Sequence, residues 1–293
     1  MSSSSELRIM FRLIRRNPVS MLGLVIVVTF VIVGLIAPYI LTRPEEAWGI
    51  AYNVKDRFLP PSLQHPFGTD EYGRDMFNRV LLGTRFSLMI AVGVVGLALL
   101  IGIPIGLVAG YVGGKVGTAL MRVTDMFLAF PPLLLAIALA ATLGRGLTNT
   151  IVALAISWWP WYARLIFVQV NSIKSLPYVD AAKVMGLGSL TIMFKHILPN
   201  ALTPITVQAA LDMGSAILEA AGLSFLGVGV PPPTPEWGLL VSMGWQSINR
   251  AWWISFFPGL AIVVTVLGFN LLADAVREAM DPRLRKALIM KGV

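Results

Sequence analysis

Six long apolar runs alternate with shorter polar segments along the chain, at roughly 19–41, 86–111, 123–143, 147–170, 201–221 and 254–275. Each matches the ~20 mostly apolar residues that a helix needs to cross a bilayer. The pattern predicts an all-α membrane protein with six transmembrane helices. The third run contains Pro131-Pro132 and the fourth Pro160. Proline inside a span is tolerated where neighbouring helices satisfy the freed carbonyls, so a packed bundle is expected. RLIRRNP before the first run imitates a signal-peptide n-region, but the run is longer than an h-region and no A-x-A site follows. It reads as a retained helix.

Composition agrees. Of 293 residues, 56% are hydrophobic and 13% charged, about half the charge of a soluble domain, and mean hydropathy is +0.77. The absence of cysteine excludes disulfides and thiol chemistry. The net charge of +8 follows from topology. With the N-terminus inside, fifteen of the 23 Lys and Arg fall on inner segments and eight on outer ones, as the positive-inside rule requires. Six of those eight lie in one long loop, balanced there by six acids. The chain divides into a cytoplasmic segment 1–18, a first helix 19–41, an extracytoplasmic loop 42–85, a five-helix core 86–277 and a cytoplasmic tail 278–293. Within the core lie an inner loop 171–200 and an outer segment 222–253.

The inner loop is more than a connector. In DAAKVMGLGSLTIMFKHILPN, residues 180–200, Pro177 suits a first helical turn upstream. Gly186-Leu187-Gly188 breaks the helix, Ser189 is a candidate cap for a second short helix, and Pro199 punctuates the way into the fifth span. Such a pair of helices fits either a groove on a cytoplasmic partner or the membrane surface, anchored by Lys183 and Lys195.

Charge inside spans is costly, which singles out a few residues. Asp125 belongs at the inner interface, near Arg122, and Arg164 is placed to snorkel. Asp212 lies mid-span in the fifth run and reads equally as a lining of a translocation path or as a hydrogen-bonded structural acid. Glu219 reads as a gate or a helix anchor. Among aromatic residues, Trp161 in SWWPWYARL serves packing or lines a pore, and Trp237 in PPPTPEWG belongs to a bracing outer loop or gate. His65 and His196 fall on opposite sides, so they share neither metal nor proton relay; His65 reads as a loop residue. No metal set, catalytic triad or paired carboxylates emerge. AGYVGGKVG, residues 109–117, is the nearest approach to a P-loop, but Ala109 stands at the first glycine position and Val116 at the hydroxyl position.

The inner loop resembles the EAA loop of ABC-importer permeases, E-A-A-x3-G-x9-I-x-L-P. Asp180-Ala181-Ala182 stands for E-A-A, Gly186 follows at the family spacing, and His196, Ile197, Leu198 and Pro199 close it, with Asp180 for Glu and His196 for the first Ile. HPFGTDEYGRD (65–75), AILEAAGLSFLGVGVPPPTPEWG (216–238) and DPRLR (281–285) are similar to signatures of the C-type permease of dipeptide and oligopeptide importers. The resemblance implies the type I ABC-importer permease fold in the prokaryotic inner membrane. It implies no catalysis and no cofactor on this chain, with ATP and magnesium on two partner ATPases. It also implies a B-type permease partner, an extracytoplasmic binding protein, and ATPase docking through Asp180, Ala181, Ala182, Gly186, His196, Leu198 and Pro199. A proton-coupled secondary transporter working through Asp125, Asp212 or Glu219 is the alternative, although no internal repeat supports it. Oligosaccharides or metal chelates are alternative cargoes.

Overall fold

The computed structural model describes residues 17–280, so the DPRLR signature and the basic N-terminal segment lie outside the described residues. It is helical, and no β-strand occurs among the described residues. Helix α1 is Pro18–Ile40, α2 Met76–Val112, α3 Gly114–Leu128, α4 Pro132–Leu143 and α5 Leu147–Ile173. Then come α6 Pro177–Val184, α7 Leu198–Phe225, α8 Trp237–Trp245 and α9 Trp253–Met280.

Five helical runs are long and apolar enough to cross a membrane alone: α1, α2, α5, the run Ser189–Phe225 that includes α7, and α9. The third expected span differs. It is two helices, α3 and α4, bent by 84° at Pro131-Pro132. Pro132 opens α4 and Pro131 precedes it, and the residue before a proline is pushed out of the helical region. The α3–α4 pair still passes from one end of the bundle to the other. Gly113, just before α3, lies beside the Lys174 side chain at the end of α5. Gly146, just after α4, donates its N–H to the Gly229 carbonyl at the opposite end. Counting the broken pair as one, the described residues hold six candidate spans.

The most extensive helix contact joins α2 to α5. It is made possible by Gly102, Gly106 and Gly110, one glycine every fourth residue on α2. A Cβ on Gly106 would lie 2.3 Å from the Ala163 carbonyl oxygen, and one on Gly102 would lie 2.7 Å from the Trp159 carbonyl oxygen. Small residues at this spacing let membrane helices approach backbone to backbone, where dispersion replaces the missing hydrophobic drive.

The first long loop is welded onto one end of the bundle by buried charge. Asp75 caps α2 by accepting from the Asn78 N–H and pairs with His65 Nδ1 at 2.9 Å. Asp70 accepts from Arg74 Nε at 2.7 Å, with Arg79 Nε 3.9 Å away. His65 is therefore a buried structural residue, where the sequence suggested an ordinary loop position. The segment before α8 closes over the same place. The Trp237 indole donates to the Val80 carbonyl, and Glu236 caps α8 by accepting from the N–H groups of Gly238 and Leu239. Burial pushes the Glu236 carboxyl above its ordinary value, and these donors partly offset the shift.

Candidate functional site

Two features stand out, a cleft between spans and a crest on the loop between α5 and α7. The cleft comes from two helical stripes. On α5, Trp158, Trp161 and Tyr162 recur at the i, i+3, i+4 spacing of one helix face. On α7, Gln208, Asp212, Ser215 and Glu219 recur at i, i+4, i+7 and i+11. With Leu128 and Pro132 at the bend between α3 and α4, they line a cavity of 340 Å³. The Tyr162 hydroxyl donates to Asp212 Oδ2 at 2.5 Å and Gln208 Nε2 to Oδ1 at 2.8 Å. The Trp158 indole donates to Glu219 Oε2 at 3.0 Å. Two carboxylates therefore face an aromatic wall, with no cationic side chain among the lining residues.

Three of the four sequence candidates, Trp161, Asp212 and Glu219, thus line one space. Asp212 is both hydrogen-bonded and open to the cleft. Trp237 does not join them. It is 0% exposed, packs edge-on against Phe30, and stands apart from the cleft as part of the framework. Gln208 and Ser215 were missed, although the four-residue stripe on α7 was the signal that could have found them, and Tyr162 is one of the rings of SWWPWYARL that the sequence offered as pore lining. Asp125 pairs with Arg164, not Arg122, so Arg164 is held by an ion pair that ties α5 to α3 near the bend.

The crest begins at α6. Pro177 sits in its first turn, Asp180 there favours the helix dipole, and Lys183 lies in the last turn, 2.8 Å from Asp180. The helix ends in a Schellman arrangement. Gly186 N–H bonds to the Lys183 carbonyl and Leu187 N–H to the Ala182 carbonyl, with Gly186 at φ +77°. Beyond it the expected separate second helix is absent. Ser189 makes no capping hydrogen bond, and residues from Ser189 onward run continuously into α7. Pro199 opens α7 without breaking it. It has no N–H to donate, and the ladder before it widens into a π turn over Ile192–Ile197, where Leu198 N–H reaches the Met193 carbonyl.

The loop is firmly seated. Val179, Ala182, Ile192, Met193 and Ile197 are buried. The Asn200 amide donates to the Tyr178 hydroxyl and the His196 carbonyl, and the Tyr178 hydroxyl also reaches that carbonyl. The family-motif positions divide accordingly. Ala182 and Leu198 pack inward, His196 contributes its backbone oxygen, and Asp180, Ala181, Gly186 and Pro199 are exposed. Around them, Val184 is 88% exposed and Met185 and Leu190 71% each, with Phe194 and Leu187 also uncovered. Motif spacing alone did not point to these apolar residues.

Comparison with known proteins agrees with this architecture. Residues 102–286 match the family model described as binding-protein-dependent transport system inner membrane component. The chain belongs to that family. Residues 5–61 match the N-terminal TM domain of oligopeptide transport permease C. The chain is 42% identical to the dipeptide transport system permease protein DppC of Alkalihalophilus pseudofirmus, over 94% of this chain and 89% of the relative. It is 42% identical to the di/tripeptide transport system permease protein DppC of Pseudomonas aeruginosa, over 90% and 88%. It is also 39% identical to the nickel transport system permease protein NikC of Escherichia coli, over 87% and 92%. This is therefore a multi-pass membrane permease subunit of the ABC-importer kind, which works with an ATPase and a binding protein.

Proposed function

We propose that this permease forms one half of the translocation path of a di- or oligopeptide importer in the prokaryotic inner membrane, with both termini cytoplasmic. The other half is a B-type permease subunit, and an extracytoplasmic binding protein delivers the cargo. Two ATPase subunits bind ATP and magnesium; this chain binds neither and catalyses nothing. The cleft of Trp161, Asp212 and Glu219 lies on the path, where broad aromatic faces and a few polar groups suit varied peptide side chains that must also be released. The motif 180–200 docks into the ATPases and carries their closure to α5 and α7.

The observation that carries this reading is the crest of Val184, Met185 and Leu190, left uncovered on a base that is itself buried and clipped. A run of apolar side chains held out from a rigid support is what a protein groove accepts. It favours the partner groove over the membrane surface, because Lys183, one of the two basic anchors, is already engaged with Asp180. The test is Met185→Asp. An unpaired charge at the centre of a docking surface costs about 2–5 kcal/mol, so the variant should insert normally yet lose its co-purifying ATPases and the uptake of a labelled dipeptide in reconstituted vesicles. Unchanged ATPase recovery and uptake would refute the docking role. Uptake of a nickel chelate but not of peptide by the wild type would reassign the cargo.

A further inference from the structure

A second cavity, of 410 Å³, lies at the end of the bundle that the proposed topology makes cytoplasmic. Three elements enclose it: the end of α2 (Ala109, Gly113), the polar stripe of α3 (Thr118, Arg122, Asp125) and the end of α5 (Asn171, Lys174). It is separate from the aromatic cleft and from the docking crest. Its size is that of a small-ligand pocket, and its charge is unbalanced. Lys174 donates one hydrogen to the Gly110 carbonyl at 2.6 Å, which leaves two donors and the full positive charge. Arg122 makes no hydrogen bond or ion pair with any described residue. Asp125 is the single acid in the lining, and Arg164 of α5, outside the lining, already neutralises it. Asn171 donates to the Phe167 carbonyl and keeps its side-chain oxygen and a second N–H. The first turn of α3 borders the same space with its amides, and the C-terminal carbonyls of α2 and α5 oppose them, so the positive charge of the site rests on Arg122 and Lys174.

We propose that this cavity seats a phosphate-bearing anion, held between Arg122 and Lys174, whose source is the headgroup of an anionic phospholipid of the inner leaflet. The position fits that source. α2 ends at Val112 and α5 at Ile173, so the cavity lies where the chain leaves the hydrocarbon, at headgroup level. Basic pockets between helices on the cytoplasmic side suit such headgroups. The bound lipid would bridge α2, α3 and α5 beside the glycine-mediated contact and brace the bent α3–α4 span. The inference goes beyond the transport reading and does not depend on the cargo.

The test uses the purified importer complex, delipidated and titrated with phosphatidylglycerol or phosphatidylcholine, with retained lipid counted by native mass spectrometry. Wild type should hold phosphatidylglycerol in preference to phosphatidylcholine. Arg122→Gln, an exposed position, should weaken phosphatidylglycerol about fivefold, as loss of one cation near a membrane surface implies. Arg277→Gln, at the same end but outside the cavity, should leave it unchanged. Inorganic phosphate that displaces nothing supports the lipid source. Phosphate that binds in competition, with no lipid preference, keeps the anion site but assigns it to a soluble phosphate. Equal retention of both lipids in wild type and Arg122→Gln, with no phosphate binding, overturns the proposal, and it does so whether or not the complex transports peptides.

Discussion

The α2–α5 contact can be tested by one methyl group. In Gly106→Ala the new Cβ would stand 2.3 Å from the Ala163 carbonyl oxygen and 2.9 Å from Ile166 Cβ, where ordinary contact begins near 3.4 Å. The obstacle is backbone, so no side chain can swing aside, and α5 must retreat by about 1 Å. Overpacking of this kind costs about 1–3 kcal/mol. A Gly-to-Ala change also gains about 0.8–1 kcal/mol of helix propensity, which would mask part of the loss. Gly96→Ala removes that ambiguity, since it lies on the same helix with nothing within 4 Å of its Cβ. The difference between the two variants isolates the packing cost, about 1–3 kcal/mol against Gly106→Ala. Equilibrium unfolding in mixed micelles measures it. Because α5 carries Trp158, Trp161 and Tyr162, Gly106→Ala should also lower uptake in reconstituted vesicles. A gap within about 0.5 kcal/mol, the scatter of independent substitutions, would refute the close-approach account.

Two further outcomes follow from the geometry. Asp212→Asn keeps the shape but removes the charge that accepts from Tyr162 and Gln208; uptake in reconstituted vesicles should fall about tenfold, as for a hydrogen bond to a charged group, while the unfolding curve stays close to wild type. Unchanged uptake would confine Asp212 to packing. Glu236 is fully buried with its carboxyl raised above 4.5 by desolvation. A raised folded value means that its contribution to stability is complete below pH 4.5 and is lost as pH rises through the folded value. Glu236→Gln should remove that downward slope in a melting-temperature series across pH, and an identical slope in both proteins would contradict the assignment.

How far each feature could be read in the chain depended on the range of the interaction behind it. The apolar runs and the asymmetry of basic residues are local or one-dimensional, so the membrane class and six passes were legible. Gly186 was legible as a helix end because only its backbone conformation matters there, and nothing packs within 4 Å of its Cβ. Asp212 and Glu219 were visible because an acid within a span has few cheap alternatives. Trp237 shows the opposite limit: an indole beside a proline-rich segment is equally at home lining a gate or filling a core, and only contact with Val80 and Phe30 decides. Pro199 and the pair Pro131-Pro132 also read alike as letters. One is accommodated in a π turn, while the other bends the chain by 84°.

Residue chemistry alone was enough to make this chain helical and membrane-spanning, because hydropathy and charge act on each residue against its solvent. The pairing of Asp125 with Arg164 and the meeting of the α5 and α7 stripes around one cleft join residues on different helices, and the burial of His65 against Asp75 depends on how the first long loop folds onto the bundle. Those partners come together only when the helices and the first loop pack, so the tertiary structure decided which charges are tied into the framework and which remain open in a cleft or cavity.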